Sequence, residues 1–300
     1  MKKQALFILN PFSGDIPDKE SLAGEIIDNM EAYDVFLWKT TGQEDNKKFK
    51  KLLIEKDYDL LVVGGGDGTI KMVVENYTQG TSKLLSVPFG SANGLATCFG
   101  IKTWEESLDC LYADKFIDMD ILDINGESCL HLCDFGFNAD LIKHFEEGNE
   151  RGMVAYFKSS LKSFFEIEPY RFSLELGKDV ETFQARMLII ANGDKYGTGA
   201  TINPGAKMDD GLFEIIALNP ENLQDWLTLT FGIVRQDLSN LSFVKSWQTE
   251  EVVISNTGRA PFHVDGEMVE TTGKFHVKVK QEKVRMLVHP SMQSLTRLGS

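Results

Sequence analysis

The chain has 300 residues, 42% of them hydrophobic and 25% charged, with a net charge of −14 at pH 7. That length suits two domains with sizeable apolar cores, and the acidity argues against a nucleic-acid groove or a constitutive polybasic dock on anionic lipid, both of which need a cationic surface. Four cysteines without disulfide or zinc spacing favour a reducing compartment, so a cytoplasmic protein is expected.

From the start of the chain, Lys2-Lys3 precede an apolar run, Ala5–Leu9, that stops at Asn10-Pro11. The run is too short for a signal sequence or a membrane span and predicts a first buried strand. Further strands are predicted over Asp34–Trp38, Asp59–Val63 and Leu84–Pro88, with amphipathic helices over Asp18–Met30, Glu44–Ile54 and Asp67–Tyr77. Another helical pattern begins at Leu95, and Thr103–Tyr112 follows with Trp104, Leu108 and Leu111 on one face. Lys47, Lys48, Lys50 and Lys51 read as a solvated helix face. Alternating short strands and helices predict a parallel α/β sheet with helices on both faces, whose ligands bind beyond the C-terminal strand ends. Asn10, Gly66-Asp67 and Gly90-Ser91 all fall at such ends, which predicts one composite site.

The most informative of these ends is Gly64-Gly65-Gly66-Asp67-Gly68-Thr69, which joins an apolar strand directly to a helix. Glycines let a backbone approach phosphate closely, and the converging N–H groups and helix N-terminus add positive potential. A carboxylate inside such a loop would repel phosphate unless a divalent cation lay between them, so Asp67 points to a metal-nucleotide. A plain strand-to-helix turn would also use glycine. No Gly-x-x-x-x-Gly-Lys-Ser/Thr string exists, and the third glycine of a dinucleotide fingerprint is replaced by Thr69.

Past residue 120 strand-like segments dominate: Cys129–Phe135, Arg171–Leu176, Phe183–Asn192, Leu212–Leu218, Glu251–Ser255, Phe262–Val264, Lys274–Lys280 and Val284–His289. Helical stretches interrupt them at Met153–Phe165 and Leu223–Gln236. A mostly antiparallel β domain is predicted, with Gly126 as the boundary. Cys129, His131 and Cys133 alternate as on a buried strand; ligands two apart lie about 7 Å apart along it and converge poorly on one metal. Polar turns gather at Asp118 and Asp120, Asn192-Gly193 with Tyr196-Gly197-Thr198-Gly199 and Pro204, Lys207-Met208-Asp209-Asp210-Gly211-Leu212, and Asp265-Gly266-Glu267. An isolated Asp-Gly pair is ordinary hairpin chemistry.

As an ordered set these motifs are more specific. Asn10-Pro11-x-Ser13-Gly14, Thr40-Thr41, Gly65-Gly66-Asp67-Gly68-Thr69 and Pro88-x-Gly90-Ser91-x-Asn93 are followed by Asp120, Gly136-Phe137-x-Ala139, Asn192-Gly193, Asp209-Asp210-Gly211 and Asp265-Gly266-Glu267. Over nearly its whole length the chain resembles the bacterial diacylglycerol kinase-like lipid kinases, relatives of sphingosine and ceramide kinases and, more distantly, of NAD kinases. Gly90-Ser91-Ala92-Asn93-Gly94 departs from the Gly-Thr-x-Asn-Asp of many bacterial relatives and looks more like the sphingosine and ceramide branch. Thr198 and Ala200 stand where glycines are usual.

The resemblance implies an ATP-binding α/β domain over residues 1–125, to which a tail, 287–300, returns. It implies a β-sandwich over 126–286 and an active site in the cleft between the two. Nucleotide contacts map to Asn10, Thr41, Gly65, Gly66, Asp67, Gly68, Thr69, Gly90, Ser91 and Asn93, and the acidic catalytic group to Asp67, Asp120, Asp265 and Glu267. A structural Mg²⁺ or Ca²⁺ would sit at Asp210 with the carbonyls of Lys207 and Leu212. The implied reaction moves the γ-phosphate of ATP, carried with Mg²⁺, to a lipid hydroxyl such as that of diacylglycerol or a sphingoid or ceramide-like lipid. Asp265 is then the candidate base, Glu267 its helper, and His263 structural. Phe157, Leu161, Phe164 and Phe165 with Lys158 and Lys162 form either a membrane-facing lip or a plain amphipathic core helix. The expected partners are ATP and a lipid met transiently at the membrane, with no nucleic acid and a homodimer left open. A kinase of a soluble acceptor such as NAD, or a nucleotide-sensing module without turnover, are the competing readings.

Overall fold

The computed structural model describes residues 2–77, 81–136, 168–196, 200–201, 206–235, 237–238, 241–270, 272–292 and 297–298. The predicted helix Met153–Phe165, with Lys158 and Lys162, lies outside the described residues, as do Phe137, Ala139, Gly197, Thr198, Gly199 and Pro204.

Strands Lys3–Leu9 (β1), Tyr33–Lys39 (β2), Leu60–Gly65 (β3), Lys83–Pro88 (β4) and Lys115–Met119 (β5) are interleaved with five helices. These are Lys19–Asp28 (α1), Asp45–Glu55 (α2), Asp67–Asn76 (α3), Gly94–Cys98 (α4) and Trp104–Ala113 (α5). Next come Leu122–Ile124 (β6), Glu127–Cys129 (β7), Leu132–Gly136 (β8), Tyr170–Leu176 (β9), Asp179–Ala185 (β10), Met187–Ala191 (β11), Lys195–Tyr196 (β12) and Ala200–Thr201 (β13). Phe213–Leu218 (β14), helix Leu223–Arg235 (α6), Val244–Thr249 (β15), Glu251–Asn256 (β16), Phe262–Val264 (β17), Glu267–Val269 (β18) and Lys274–Val279 (β19) follow. Val284–Leu287 (β20) and Arg297–Leu298 (β21) come last.

The chain divides into two units, Met1–Asp120 with Gln281–Ser300, and Ile121–Lys280. The first is built on one sheet in the order β2-β1-β3-β4-β20-β5-β21, with β2, β1, β3, β4 and β20 parallel and β5 antiparallel to β20. Ala5–Leu9 and Leu60–Gly65 are buried throughout, as expected of strands in the middle of a parallel sheet, whereas β2 at the edge alternates. Asp18 caps α1 by accepting from the Ser21 N–H at 3.3 Å, and Thr103 and Glu106 form a reciprocal capping box on α5. Lys47, Lys48 and Lys51 pair with Glu44, Asp45 and Glu55 on the outside of α2, so those three lysines form a solvated face.

The returning strand β20 is fixed by charge as well as by its ladder. Asp118 and Asp120 on β5 and just after it meet Arg285 at 2.9 Å and Lys283 at 2.8 Å. Asp120 is fully buried, so the lysine offsets a charge that would otherwise be very costly there.

The second unit is a sandwich of two antiparallel six-stranded sheets, β10-β9-β16-β19-β6-β7 and β15-β14-β11-β8-β17-β18. Their inner faces supply one core, with Phe135 at its centre: its ring lies 5.8 Å from Phe172, 4.4 Å from Phe262 and 4.9 Å from Phe275. Helix α6 covers the outer face of the second sheet, placing Trp226 and Leu229 against Leu132, Met187, Ile189 and Ile216.

Four sequence expectations change. Asn125-Gly126 is not a boundary: it is the tight turn of the β6–β7 hairpin, with φ of 53° and 95°. The return to the first unit begins at Gln281 rather than Leu287, because β20 already belongs to the first sheet. The strand predicted over Cys129–Phe135 breaks at Leu130-His131, and the one over Phe183–Asn192 breaks at Arg186, where the chain passes from one sheet to the other. Periodicity cannot see either break, since the residues on both sides of each are buried.

Candidate active site

In the first unit β1 leads out to β2 on one side of the sheet, and the chain then crosses to β3 on the other. The connections after β1 and β3 therefore diverge, and such a switch point opens a crevice beyond the strand ends. A cleft of about 400 Å³ lies there, lined by Asn10, Phe12, Ser13 and Gly14 after β1, Thr40, Gly42 and Asp45 after β2, Gly66, Gly68, Thr69 and Met72 after β3, and Gly90 and Ser91 after β4.

Its floor is backbone against backbone. A Cβ on Gly90 would lie 2.4 Å from the Gly66 Cα, and one on Gly14 would lie 2.7 Å from the Gly90 carbonyl carbon. Gly14 also has φ of 55°, so no side chain fits that place. The loops are tied by short polar side chains. Asn10 donates through Nδ2 to Thr69 Oγ1 at 3.0 Å and accepts the Phe12 N–H through Oδ1 at 3.0 Å. Ser13 Oγ donates to the carbonyls of Asn10 and Phe89 at 2.9 and 3.2 Å. Asn93, at φ of 52°, accepts the Gly90 N–H and donates to the Gly90 carbonyl at 2.8 and 2.7 Å. Lys19 is 7% exposed, and its ammonium donates to the carbonyls of Pro11 and Gly14 at 3.2 and 3.0 Å, which closes the loop after β1 from beneath.

The cleft thus gathers Asn10, Gly66, Gly68, Thr69, Gly90 and Ser91 of the expected nucleotide set. Gly65 stands behind it: a Cβ there would lie 2.5 Å from Thr69 Oγ1. Thr40 lines the cleft, and Thr41 beside it binds Asp45 at the start of α2 through its N–H and Oγ1. Asp67 differs most from expectation. As the first residue of α3, it turns its carboxylate to the start of α4 and accepts the N–H groups of Gly94 at 2.9 Å and Leu95 at 3.1 Å. It fastens the turn after β4 rather than standing in the cleft lining. Asp120 likewise lies outside that lining, paired to Lys283. Sequence reasoning passed over Lys19, Phe12, Gly42, Asp45 and Met72. For Lys19 no local signal existed, since a lysine at the start of a helix normally faces water.

In the second unit the motif residues converge on the break at Leu130-His131. Asp265 and Gly266 form a two-residue hairpin loop between β17 and β18, with φ of 49° and 84°, the left-handed pair that such a loop demands. The Asp265 carboxylate accepts the N–H groups of Leu130 at 3.2 Å and His131 at 2.9 Å. Opposite it, Asn192 Nδ2 donates to the Leu130 carbonyl at 2.8 Å and its backbone N–H to the His131 carbonyl at 2.9 Å. Two motifs far apart in sequence hold one bend. Glu267 is exposed at the start of β18, and His263 is buried with Nδ1 3.5 Å from Asp134. Asp210 is exposed and accepts the Leu212 N–H at 3.0 Å across Gly211, whose φ is 81°. Among the described residues no three His, Cys, Asp or Glu side chains gather as a metal site. The four cysteines, all described, form no disulfide and are buried, and burial pushes the Cys110 thiol up to about 12.

Residues 4–124 match the diacylglycerol kinase catalytic domain, and residues 133–288 match the YegS C-terminal NAD kinase beta sandwich-like domain. The chain belongs to the diacylglycerol kinase-like lipid kinase family. It is an enzyme of the phosphotransferase class with an alcohol as acceptor. It is 25% identical to an Alcanivorax borkumensis protein named "Probable lipid kinase YegS-like", over 95% of this chain and 97% of that one. It is 22% identical to a Bacillus subtilis diacylglycerol kinase, over 95% and 99%. A crystal structure of a diacylglycerol kinase from Bacillus anthracis superposes with a TM-score of 0.74 at 17% identity, covering 97% of this chain and 98% of that one. This last likeness concerns the fold.

The bend at Leu130-His131 yields a stability prediction. Asp265→Ala and Asn192→Ala should each cost about 1–3 kcal/mol, because each strands backbone groups in a buried bend. The double variant should cost less than the sum, since both side chains hold the peptide group between Leu130 and His131. Urea unfolding of the four proteins checks it; strict additivity would mean that the two motifs do not share the bend.

Proposed function

We propose that the chain transfers the γ-phosphate of Mg·ATP to the hydroxyl of a lipid, diacylglycerol or a sphingoid or ceramide-like lipid. The observation that carries this is the glycine-floored cleft at the switch point of a lipid-kinase chain. The closely packed loops of Gly66, Gly68 and Gly90 leave room for phosphate oxygens to reach backbone N–H groups. Asp67, anchored by two N–H bonds, would orient a Mg²⁺ carried in by the nucleotide.

In the reaction the acceptor oxygen bonds to the γ-phosphorus, the bond to the β-phosphate oxygen breaks, and ADP leaves. The hydroxyl proton passes to a carboxylate, for which Asp265 is the candidate, with Glu267 aiding metal or charge placement. Asp265→Asn keeps an oxygen for the Leu130-His131 bend while removing the base. We expect kcat to fall about 10²–10⁴-fold with an unchanged melting temperature and little change in ATP affinity. A variant whose ATP binding collapses while kcat survives would give Asp265 to the nucleotide instead.

The acceptor is set by one assay: labelled ATP presented with diacylglycerol, sphingosine, ceramide, phosphatidylglycerol and NAD, products separated by thin-layer chromatography. Turnover on one of the lipids and none on NAD is expected; turnover on NAD alone overturns the lipid reading. No helix among the described residues is long and apolar enough to cross a membrane. Contact with the bilayer is then peripheral and transient, and vesicle cosedimentation should be weak and salt-sensitive. Tight, salt-resistant sedimentation would remove that part of the reading.

The turn at Lys207–Leu212 suits a structural Mg²⁺ or Ca²⁺, with the second oxygen of Asp210 and the carbonyls of Lys207 and Leu212 as hard ligands. Such an ion binds only the folded state and raises its stability. Chelation should therefore lower the melting temperature of the wild type and leave Asp210→Ala unmoved; an equal response of both proteins removes the site.

A further inference from the structure

Phe12 is an oddity of the cleft. It is the third residue of the loop after β1, it lines the cleft, and its side chain is 73% exposed. An aromatic ring left in water costs hydrophobic stabilisation, and neighbours in the same loop show that the segment is not loosely placed. The Phe12 N–H is held by Asn10 Oδ1 at 3.0 Å, Ser13 is tied to the Phe89 carbonyl, and the Lys19 ammonium binds the carbonyls of Pro11 and Gly14 on either side. The ring is therefore presented by a fixed backbone at the rim of a cleft whose floor is glycine.

The chemistry around the cleft is divided. Gly66, Gly68, Gly90 and Ser91 offer small residues and backbone, which suits phosphate. Phe12 and Met72 are the large apolar side chains among the lining residues, and Thr40 and Asp45 add a hydroxyl and a carboxylate, which suit the polar edge of a ribose or base. A flat, π-faced group is what an exposed ring can cover without needing hydrogen bonds of its own.

We infer that Phe12 is a specificity residue of the nucleotide site, on whose ring the purine base of the bound nucleotide stacks. This rests on the reading of the cleft as a nucleotide site. A bicyclic purine covers more of the ring than a pyrimidine does, so Phe12 makes the site favour ATP over UTP.

The test is calorimetric binding of Mg·ATP, Mg·UTP and Mg·tripolyphosphate to the wild type, Phe12→Ala and Phe12→Trp. The exposed position leaves folding of the variants intact, and melting temperatures verify that. Phe12→Ala should weaken Mg·ATP about tenfold or more, narrow the gap between ATP and UTP, and leave Mg·tripolyphosphate within about twofold. Phe12→Trp should keep wild-type affinity for ATP. An equal loss for ATP and tripolyphosphate would show that Phe12 shapes the loop, and an unchanged ATP affinity that no base rests on it; either overturns the stacking. A wild type that binds tripolyphosphate but shows no gain from the nucleoside also overturns it while sparing the phosphate floor. A wild type that binds none of the three overturns the nucleotide reading itself.

Discussion

The approach of Gly66 to Gly90 is the constraint on which the first unit's site depends. Two parallel strands, β3 and β4, end side by side in register, with Gly65 opposite Pro88. The chain then continues into two different turns whose backbones touch, the Cβ position of Gly90 lying only 2.4 Å from the Gly66 Cα. A side chain at Gly90 would part the turns, and one at Gly66 would set its Cβ a tight 3.2 Å from the Gly90 Cα. Contact without side chains leaves peptide groups of both turns at the floor of one cleft, where they can serve a ligand only if it is an anion small enough to reach them.

Glycine gives closeness but no rigidity, and the rest of the first unit supplies the rigidity with short polar ties. Asn10 bridges the turns after β1 and β3, Ser13 bridges those after β1 and β4, and Asp67 bridges α3 to α4. Each tie is a side chain bonded to backbone or to a neighbouring hydroxyl, so each fixes one loop relative to the next at small cost in side-chain entropy. Lys19 belongs to the same scheme: a long side chain is spent beneath a loop because two carbonyls there need a donor.

This division explains what could be read from the chain. β1 to β4 and α1 to α3 were legible because continuous apolar runs and helical spacing alternate there without ambiguity, and the glycine loop advertised itself. Asp67 was legible as important but not in its posture, since a carboxylate facing a metal and one capping a neighbouring helix leave the same mark on a sequence. Thr40 and Thr41 cannot be told apart by periodicity, because pleat and turn meet at the end of β2. The edge strand β15 escaped notice because Val244–Thr249 is half exposed and mostly polar. The bend at Leu130-His131 and the pairing of Asp120 with Lys283 are long-range facts with no local pattern to betray them, and the Lys19 ammonium, though it reaches only to Pro11 and Gly14, follows no periodic pattern either.

The acidic motif residues show why a conspicuous carboxylate is a poor guide to its own role. Asp67 and Asp265 both sit at turns where the backbone reverses, and both accept two consecutive backbone N–H groups, Gly94-Leu95 in one case and Leu130-His131 in the other. A carboxylate held in this way is oriented by backbone groups that would otherwise be orphaned donors. In both turns the posture fixes the backbone. Position 94 bears on this economy. Glycine there gives its N–H to Asp67 and brings no second carboxylate beside it, whereas an aspartate would set two like charges at the start of one short helix. With Gly94, Asp67 faces the α4 N-terminus without a like charge at that position, which spares one negative charge beside the cleft on a chain of net charge −14.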